Sequence, residues 1–363
     1  MAVDVETIVV GAGVVGLAIG RALAARGQEV LVLERHALIG SETSSRNSEV
    51  VHAGIYYPTR LCVAGKEMLY RFSAENGVSV ARTGKLLVAT SESQHVKLDA
   101  LHKTADANGV TDLVRLTGAE ATAMEPELFC TAALLSPSTG VIDSHGLMVA
   151  LEGHITTHGG QVVLSTSVER ATRGNDGTFR LHTGGAAPGT ITCARLVLSP
   201  GLGASDLART LALPSGYAPP PTYYAKGQYY ALSGKSPFSR HIYPMPDGAW
   251  LGLHVTVDIA GRCKFGPDIE WIPEIDYSFD VAKLDKFLGF IRSYYPGLDP
   301  SRLHADYTGI RPKLYREGEP VPDFRIDGPE THGASRLALL YGIESPGLTA
   351  SLAIGELVAD LVG

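Results

Sequence analysis

Gly11, Gly13 and Gly16 stand at the spacing G-x-G-x-x-G, and Glu34 follows 18 residues after the last of them. Residues of these types at this spacing can hold a dinucleotide. The first glycine permits a tight turn, the second lets the backbone approach a pyrophosphate, and the third lets a helix pack closely on a strand. Free N–H groups at the start of that helix face the anion. A carboxylate at the end of the next strand accepts hydrogen bonds from ribose hydroxyls. It disfavours a 2′-phosphate, and hence NADP, while leaving FAD and NAD both open.

The flanking residues supply the elements that must position these groups. Thr7-Ile8-Val9-Val10 is a β-branched apolar run, an Ala/Leu-rich amphipathic stretch continues to Ala25, Gly27 stops it, and Glu29 to Glu34 reads as a second strand. Strand, glycines, helix and terminal acid agree, which a lone glycine motif would not achieve. A polar loop begins at Gly40. Its Thr43, Ser44, Ser45, Arg46, Asn47 and Ser48 can donate to phosphates and flavin heteroatoms, and His52, Tyr56 and Tyr57 follow. Loops of this composition are commonly only solvated; the position directly after a nucleotide unit sets this one apart.

Composition narrows the function classes. A chain of 363 residues with 45% hydrophobic and 19% charged residues can hold two or three globular units with sizeable cores. The net charge of −7 argues against a nucleic-acid surface. Cys62, Cys130, Cys193 and Cys263 are widely separated, so reduced, mostly buried thiols are expected rather than a zinc site or disulfides. Met1 to Glu6 lacks a basic n-region, and no apolar stretch reaches the roughly 18 residues that span a bilayer. The expectation is a cytoplasmic protein.

Periodicity and breakers predict further elements: helices over Leu61–Asn76, Glu92–Asn108 and Gly118–Met124, a strand over Gly84–Thr90, and strand, turn, strand over Leu134–Asp143. Ser144 caps a helix through His158. Gln161–Arg170 and Thr178–Thr183 read as strands joined by the turn Asn175-Asp176-Gly177. Arg195–Ser199 is a buried-type strand that enters the glycine turn Pro200-Gly201-Leu202-Gly203. After Pro219-Pro220-Pro221 come strands over Tyr223–Leu232, His241–Tyr243, Trp250–Val257 and Arg262–Phe265, and a helix over Asp280–Tyr295. Leu337–Tyr341, a turn from Gly342 and a helix from Leu348 end the chain. The expected fold class is mixed α/β (α+β). A Rossmann-like nucleotide domain (1–84, 142–215 and 335–363) is interleaved with a β-rich substrate domain (85–141 and 216–334).

The glycine motif with Glu34, Ser44 to Tyr57, Lys226-Gly227-Gln228-Tyr229, Tyr243-Pro244, Gly252-Leu253-His254-Val255-Thr256, Gly309-Ile310-Arg311-Pro312 and Ser345-Pro346-Gly347-Leu348-Thr349 together resemble the L-2-hydroxyglutarate dehydrogenase/oxidase family. That family belongs to the D-amino-acid oxidase-like FAD oxidoreductases, whose fold is also glutathione-reductase-like, and the resemblance covers nearly the whole chain. It implies FAD as cofactor and hydride removal from the α-carbon of a 2-hydroxy acid. Gly11, Gly13, Val14, Val15, Gly16, Glu34 and Arg35 would hold the ADP half, and Thr43 to Ser48 would line the pyrophosphate and flavin. Val168 and Gly201 would pass near the cofactor, and the turn Gly342 to Thr349, with Glu344, Gly347 and Leu348, would lie against the isoalloxazine. A helix starting near Leu348 would turn its positive end to the flavin.

Within the resemblance, Arg311 is the expected carboxylate ligand, because its planar fork makes two parallel hydrogen bonds. Tyr56 and Tyr57 would bind substrate oxygens, and Lys226 would pair with substrate or flavin. Alcohol oxidation needs a base for the hydroxyl proton. His254, on a strand of the substrate domain, is preferred; His52 is the other choice, or else a flavin contact that includes covalent attachment. The electron acceptor stays open among oxygen, a quinone and an electron-transfer protein, and a quinone would bring peripheral membrane contact. The rival readings are a glycine- or sarcosine-oxidase-like enzyme, a glycerol-3-phosphate dehydrogenase-like enzyme and a non-catalytic flavoprotein scaffold.

Overall fold

The computed structural model describes residues 3–56, 60–213, 216–245 and 252–363. Tyr57 and the start of the strand expected from Trp250 lie outside the described residues. The chain divides into two compact units, each assembled from separate stretches: Met1–Ser45, Ser144–Tyr224 and Arg311–Gly363 form the first, Arg46–Asp143 and Ala225–Ile310 the second.

The first unit is built on the parallel strands Gln161–Val163, Val30–Leu33, Val5–Val10, Gly189–Leu198 and Leu337–Tyr341, side by side in that order. Their sequences are continuous apolar runs because both faces of a parallel sheet are covered; Ile8, Val9, Val32, Leu337, Ala338 and Leu339 are fully buried. Helices Ser144–Thr157 and Gly347–Val362 both pack on helix Val14–Ala25. Strand Gly189–Leu198 changes partners along its length. Its first half pairs antiparallel with Phe179–Gly185, itself paired antiparallel with Thr166–Arg173, and its second half joins the parallel core.

The second unit carries, among the described residues, a nine-stranded sheet in which His241–Pro244 pairs parallel with Lys85–Ala89 and antiparallel with His254–Val257. Aromatic residues join aliphatic ones in its core: Phe287, Tyr294 and Phe265 are fully buried, and Tyr230 meets Phe287 edge-on at 4.8 Å between ring centroids. A smaller sheet joins Val50–Val51 and Val80–Ala81 to Gly140–Ile142. Among the described residues no helix is long and apolar enough to cross a membrane.

Several expected elements change on folding. Gln161–Arg170 is two strands, because the backbone turns through Ser165 at a φ of 54°. The helix expected over Asp280–Tyr295 is a 3-10 turn, Val281–Lys283, followed by Leu284–Ile291, and Asp280 accepts from Ala282 N at 2.9 Å to start it. The two strands read within Leu134–Asp143 do not pair with each other. Ala132–Ser136 joins the large sheet and Gly140–Ile142 the small one. The unit boundaries also differ from the sequence division. Residues 46–84 fall in the second unit, where Lys66 Nζ and Tyr70 OH donate to Ser138 Oγ and O at 3.1 and 3.0 Å. Residues 311–334 fall in the first, since Arg325–Asp327 pairs with Leu337–Tyr341.

Glu125, at the end of helix Gly118–Met124, is a buried tie in the second unit. Its carboxylate accepts from Ser239 N at 3.0 Å, and from Ser239 Oγ and Arg240 Nη1 at 2.6 Å. Removing one member of such a group leaves the others desolvated and unpaired. Glu125→Ala is therefore expected to cost about 3 kcal/mol, read as a lower midpoint of thermal unfolding, with Glu125→Gln recovering part of the loss.

Candidate functional site

In the first unit the chain leaves strand Val5–Val10 through Gly11, at a φ of +99°, a conformation that L side chains rarely adopt. A Cβ there would lie 2.7 Å from Ser199 O, and one on Gly16 would lie 1.9 Å from Gly11 O. Helix and strand thus meet backbone to backbone, and the helix N-terminus is held where an anion can reach it. At Gly13 a Cβ would meet Ser44 Oγ at 3.0 Å, and the Val14 N–H donates to that same oxygen at 3.0 Å. Glu34 is buried, accepting from Ala12 N at 2.8 Å and from His36 N at 2.9 Å. Each carboxylate oxygen keeps acceptor capacity beyond its one backbone bond. The cradle therefore fits a nucleotide: a helix start stripped of side chains at Gly11, Gly13 and Gly16, a hydroxyl beside it and a fixed carboxylate.

Other expected cofactor residues have structural partners. Arg35 pairs with Glu42 at 2.8 Å. Thr43, Ser44 and Ser45 form a 3-10 turn. Arg46 donates to Thr308 O at 3.1 Å and lies over the Tyr277 ring, while the Asn47 side chain accepts from Glu49 N. Ser48, Val15 and Val168 are half-buried, and Gly201 is exposed in a 3-10 turn.

At the other end of the first unit, Gly347 begins the last helix; Leu348 is half-buried and Thr349 fully buried within it. Gly342, before this turn, packs against Leu314. Glu344 accepts from Lys313 Nζ through both oxygens at 2.7 Å. Even so the Lys313 ammonium is pushed below its usual range, first by burial and then by the Arg311 charge two residues away, against the pull of Glu344. Arg311 is half-buried on the same strand, Leu303–Lys313. Lys313, held by Glu344, thus sets a second cation near Arg311; its signal in the sequence is its place two residues after Arg311.

In the second unit, His254 opens its strand half-buried, with its imidazole stacked on the Tyr243 ring at 3.6 Å between centroids and 9° between planes. His52 and Tyr56 are half-buried, and Cys62 Sγ contacts His52 O at 3.7 Å. Lys226 is buried and donates to Asp276 Oδ2 at 2.9 Å and Ser278 Oγ at 3.4 Å, so its charge is met by a carboxylate of its own unit. Lys85 carries one signal in the sequence, a lysine at the head of the apolar run Leu86-Leu87-Val88-Ala89, where a charge is unexpected. It is wholly buried, its amine 4.5 Å from the Tyr243 ring centroid and 5.2 Å from that of Tyr56.

A family model described as FAD dependent oxidoreductase, DAO, matches residues 6–361. The chain belongs to the DAO family of FAD-dependent oxidoreductases. It is 41% identical to the L-2-hydroxyglutarate dehydrogenase, mitochondrial, of Arabidopsis thaliana, over 98% of this chain and 83% of that one. To the protein of the same name in Homo sapiens it is 26% identical, over 98% and 88%. Among solved structures, the L-alpha-glycerophosphate oxidase of Mycoplasma pneumoniae with FAD bound superposes with a TM-score of 0.88 at 23% identity, covering 98% of this chain and 94% of that one. Glycine oxidase from Geobacillus kaustophilus gives 0.81 at 22%, covering 98% and 94%. These two similarities establish the DAO-type fold, and the cofactor of the family is FAD. The mixed α/β class and the FAD expectation are thereby borne out.

Two outcomes follow from this geometry. Gly13→Val puts a branched side chain where a Cβ already meets Ser44 Oγ at 3.0 Å, so the purified DAO-family protein is expected to lose most of its flavin absorbance while far-UV circular dichroism is retained. Burial lowers the Lys85 ammonium from 10.5 in the unfolded chain to about 7. Between those values the unfolded state binds more protons, so folding stability rises with pH by about 1 kcal/mol per unit and falls as pH drops toward 7. Denaturant titrations from pH 7 to 10 are expected to show this slope in wild type and its loss in Lys85→Met.

Proposed function

We propose that the chain oxidises L-2-hydroxyglutarate to 2-oxoglutarate. The observation that carries this reading is the near-full-length likeness to the Arabidopsis thaliana L-2-hydroxyglutarate dehydrogenase. The glycerophosphate and glycine oxidases share the fold at lower identity. Bound FAD supplies the two-electron acceptor for the hydride that leaves the substrate α-carbon.

The protein's own residues bind and deprotonate. Ser44 and the backbone at Gly13 would meet the pyrophosphate of bound FAD, and Glu34 would take the ribose hydroxyls. Arg311 holds a substrate carboxylate in its guanidinium fork. The Tyr56 hydroxyl hydrogen-bonds a substrate oxygen. His254 accepts the hydroxyl proton through a ring held flat on Tyr243. Lys226 is left out of the binding set, because Asp276 already takes its charge.

The test is the anaerobic absorbance of the purified holoenzyme. L-2-hydroxyglutarate is expected to bleach the flavin band, and the D-enantiomer, L-lactate, glycerol-3-phosphate and sarcosine are not. Bleaching by glycerol-3-phosphate or sarcosine instead would overturn the substrate. Arg311→Ala is expected to raise KM by about 100-fold, near 3 kcal/mol of lost binding, with a smaller change in kcat. An unchanged KM would remove Arg311 from the carboxylate site.

A further inference from the structure

Three neighbouring strands of the second unit bring three side chains together on one face of the sheet. Strand His241–Pro244 lies between Lys85–Ala89 and His254–Val257. Its register sets His241 opposite Lys85 on one side and Ile242 opposite Val255 on the other. Tyr243 is thus opposite His254 on one side and Leu87 on the other, with Lys85 its diagonal neighbour on the same face of the sheet. The imidazole covers one face of the phenol ring at 3.6 Å. The Lys85 amine lies over the same ring, 4.5 Å from its centroid.

Lys85 has little else to bind. It is wholly buried, and its Nζ has no hydrogen-bond partner among the described residues. Buried polar groups are nearly always hydrogen-bonded, because an unpaired one loses its hydration with nothing in return. The π faces of Tyr243 and Tyr56 are what the amine meets instead.

We propose that Lys85 is a positioning residue for the oxidation, whose ammonium, held at the Tyr243 ring, keeps the His254 imidazole neutral and ready to accept the hydroxyl proton. This rests on the reading of His254 as the base. Two effects act together. An imidazolium would compete with the ammonium for the π density of one ring. The two like charges, no more than about 8 Å apart since both lie on the Tyr243 ring, would also repel, in a medium of effective dielectric near 20, enough to displace the protonation of His254 by roughly one pH unit.

The surroundings keep the device within the useful range. Burial brings the Lys85 ammonium down to about 7, so it carries charge on the acid side of neutrality. From helix Arg60–Asn76, Cys62 faces it, and a thiolate there would favour the charge. From strand His241–Pro244 come Tyr243 and His241; the latter, fully buried and pushed down to about 4, stays neutral. Tyr56 approaches from the polar loop, and Ser136 is opposite Lys85 on strand Ala132–Ser136. On the far flank of His254 the opposing residue is Gly266, and Lys264, two positions along, is paired with Asp306 at 3.7 Å.

The experiment is the pH profile of kcat/KM for the Lys85→Met holoenzyme with L-2-hydroxyglutarate. The acid limb is expected to move up by about one pH unit from wild type, whatever the change in its height. A loss equal at every pH, with the limb unmoved, marks a merely structural lysine and overturns the inference. Should Lys85→Met not yield folded holoenzyme, histidine-labelled wild-type holoenzyme takes its place. The His254 ring signal, assigned by its absence from His254→Asn, is expected to show a second inflection near pH 7, and a single inflection overturns the inference. His254→Asn separates the two readings. If it retains kcat within tenfold, the base assignment falls and this inference with it. If it loses kcat while the Lys85→Met limb stays put, this inference alone falls.

Discussion

The first unit depends on a backbone approach so close that no Cβ fits between helix and strand. With 1.9 Å between a Cβ on Gly16 and the Gly11 carbonyl, the helix can begin only where both residues are glycine. That constraint fixes the axis of helix Val14–Ala25, and helices Ser144–Thr157 and Gly347–Val362 pack on it in turn. It also brings Ala12 N within 2.8 Å of the Glu34 carboxylate and Val14 N within 3.0 Å of Ser44. The same approach that closes the sheet against its helix leaves an anion-receptive helix start.

Among the described residues, several cations are answered inside their own unit. Lys313 meets both oxygens of Glu344, Lys226 meets Asp276, Lys283 meets Asp268 at 3.1 Å, and Arg240 meets Glu125. Where both partners are largely buried, as in Arg240–Glu125 and Lys313–Glu344, an ion pair stabilises little beyond its own desolvation cost, yet breaking one is strongly unfavourable. These pairs therefore fix loop and strand ends in place rather than supply net stability. Lys85 departs from the pattern: burial lowers its affinity for a proton, and two aromatic rings stand where a carboxylate would otherwise be.

Both compact units are discontinuous in sequence, and their boundaries show how far local patterns reach. Residues 46–84 follow a nucleotide-binding βαβ unit directly, so sequence order assigns them to it. The contacts of Lys66 and Tyr70 with Ser138, and of Val50 with Val141, draw them to the second unit. Local propensity carries no information about such partners, which lie about 70 to 90 residues away.

By itself the sequence determined the glycine cradle with Glu34, the buried parallel strands, the helices at either end of the chain and the membership of Arg311 and His254 in motifs. Each is encoded in residues close together, where a turn, a period or a spacing states the requirement. Tertiary structure alone decided which strands pair, that Leu134–Asp143 serves two sheets, that Arg46 and Lys226 are engaged by Thr308 and Asp276, and that Tyr243 meets both Lys85 and His254. These outcomes depend on which distant segments come within a few ångströms of one another. Burial and electrostatic neighbours, unlike turns and caps, exist only once the chain has closed on itself.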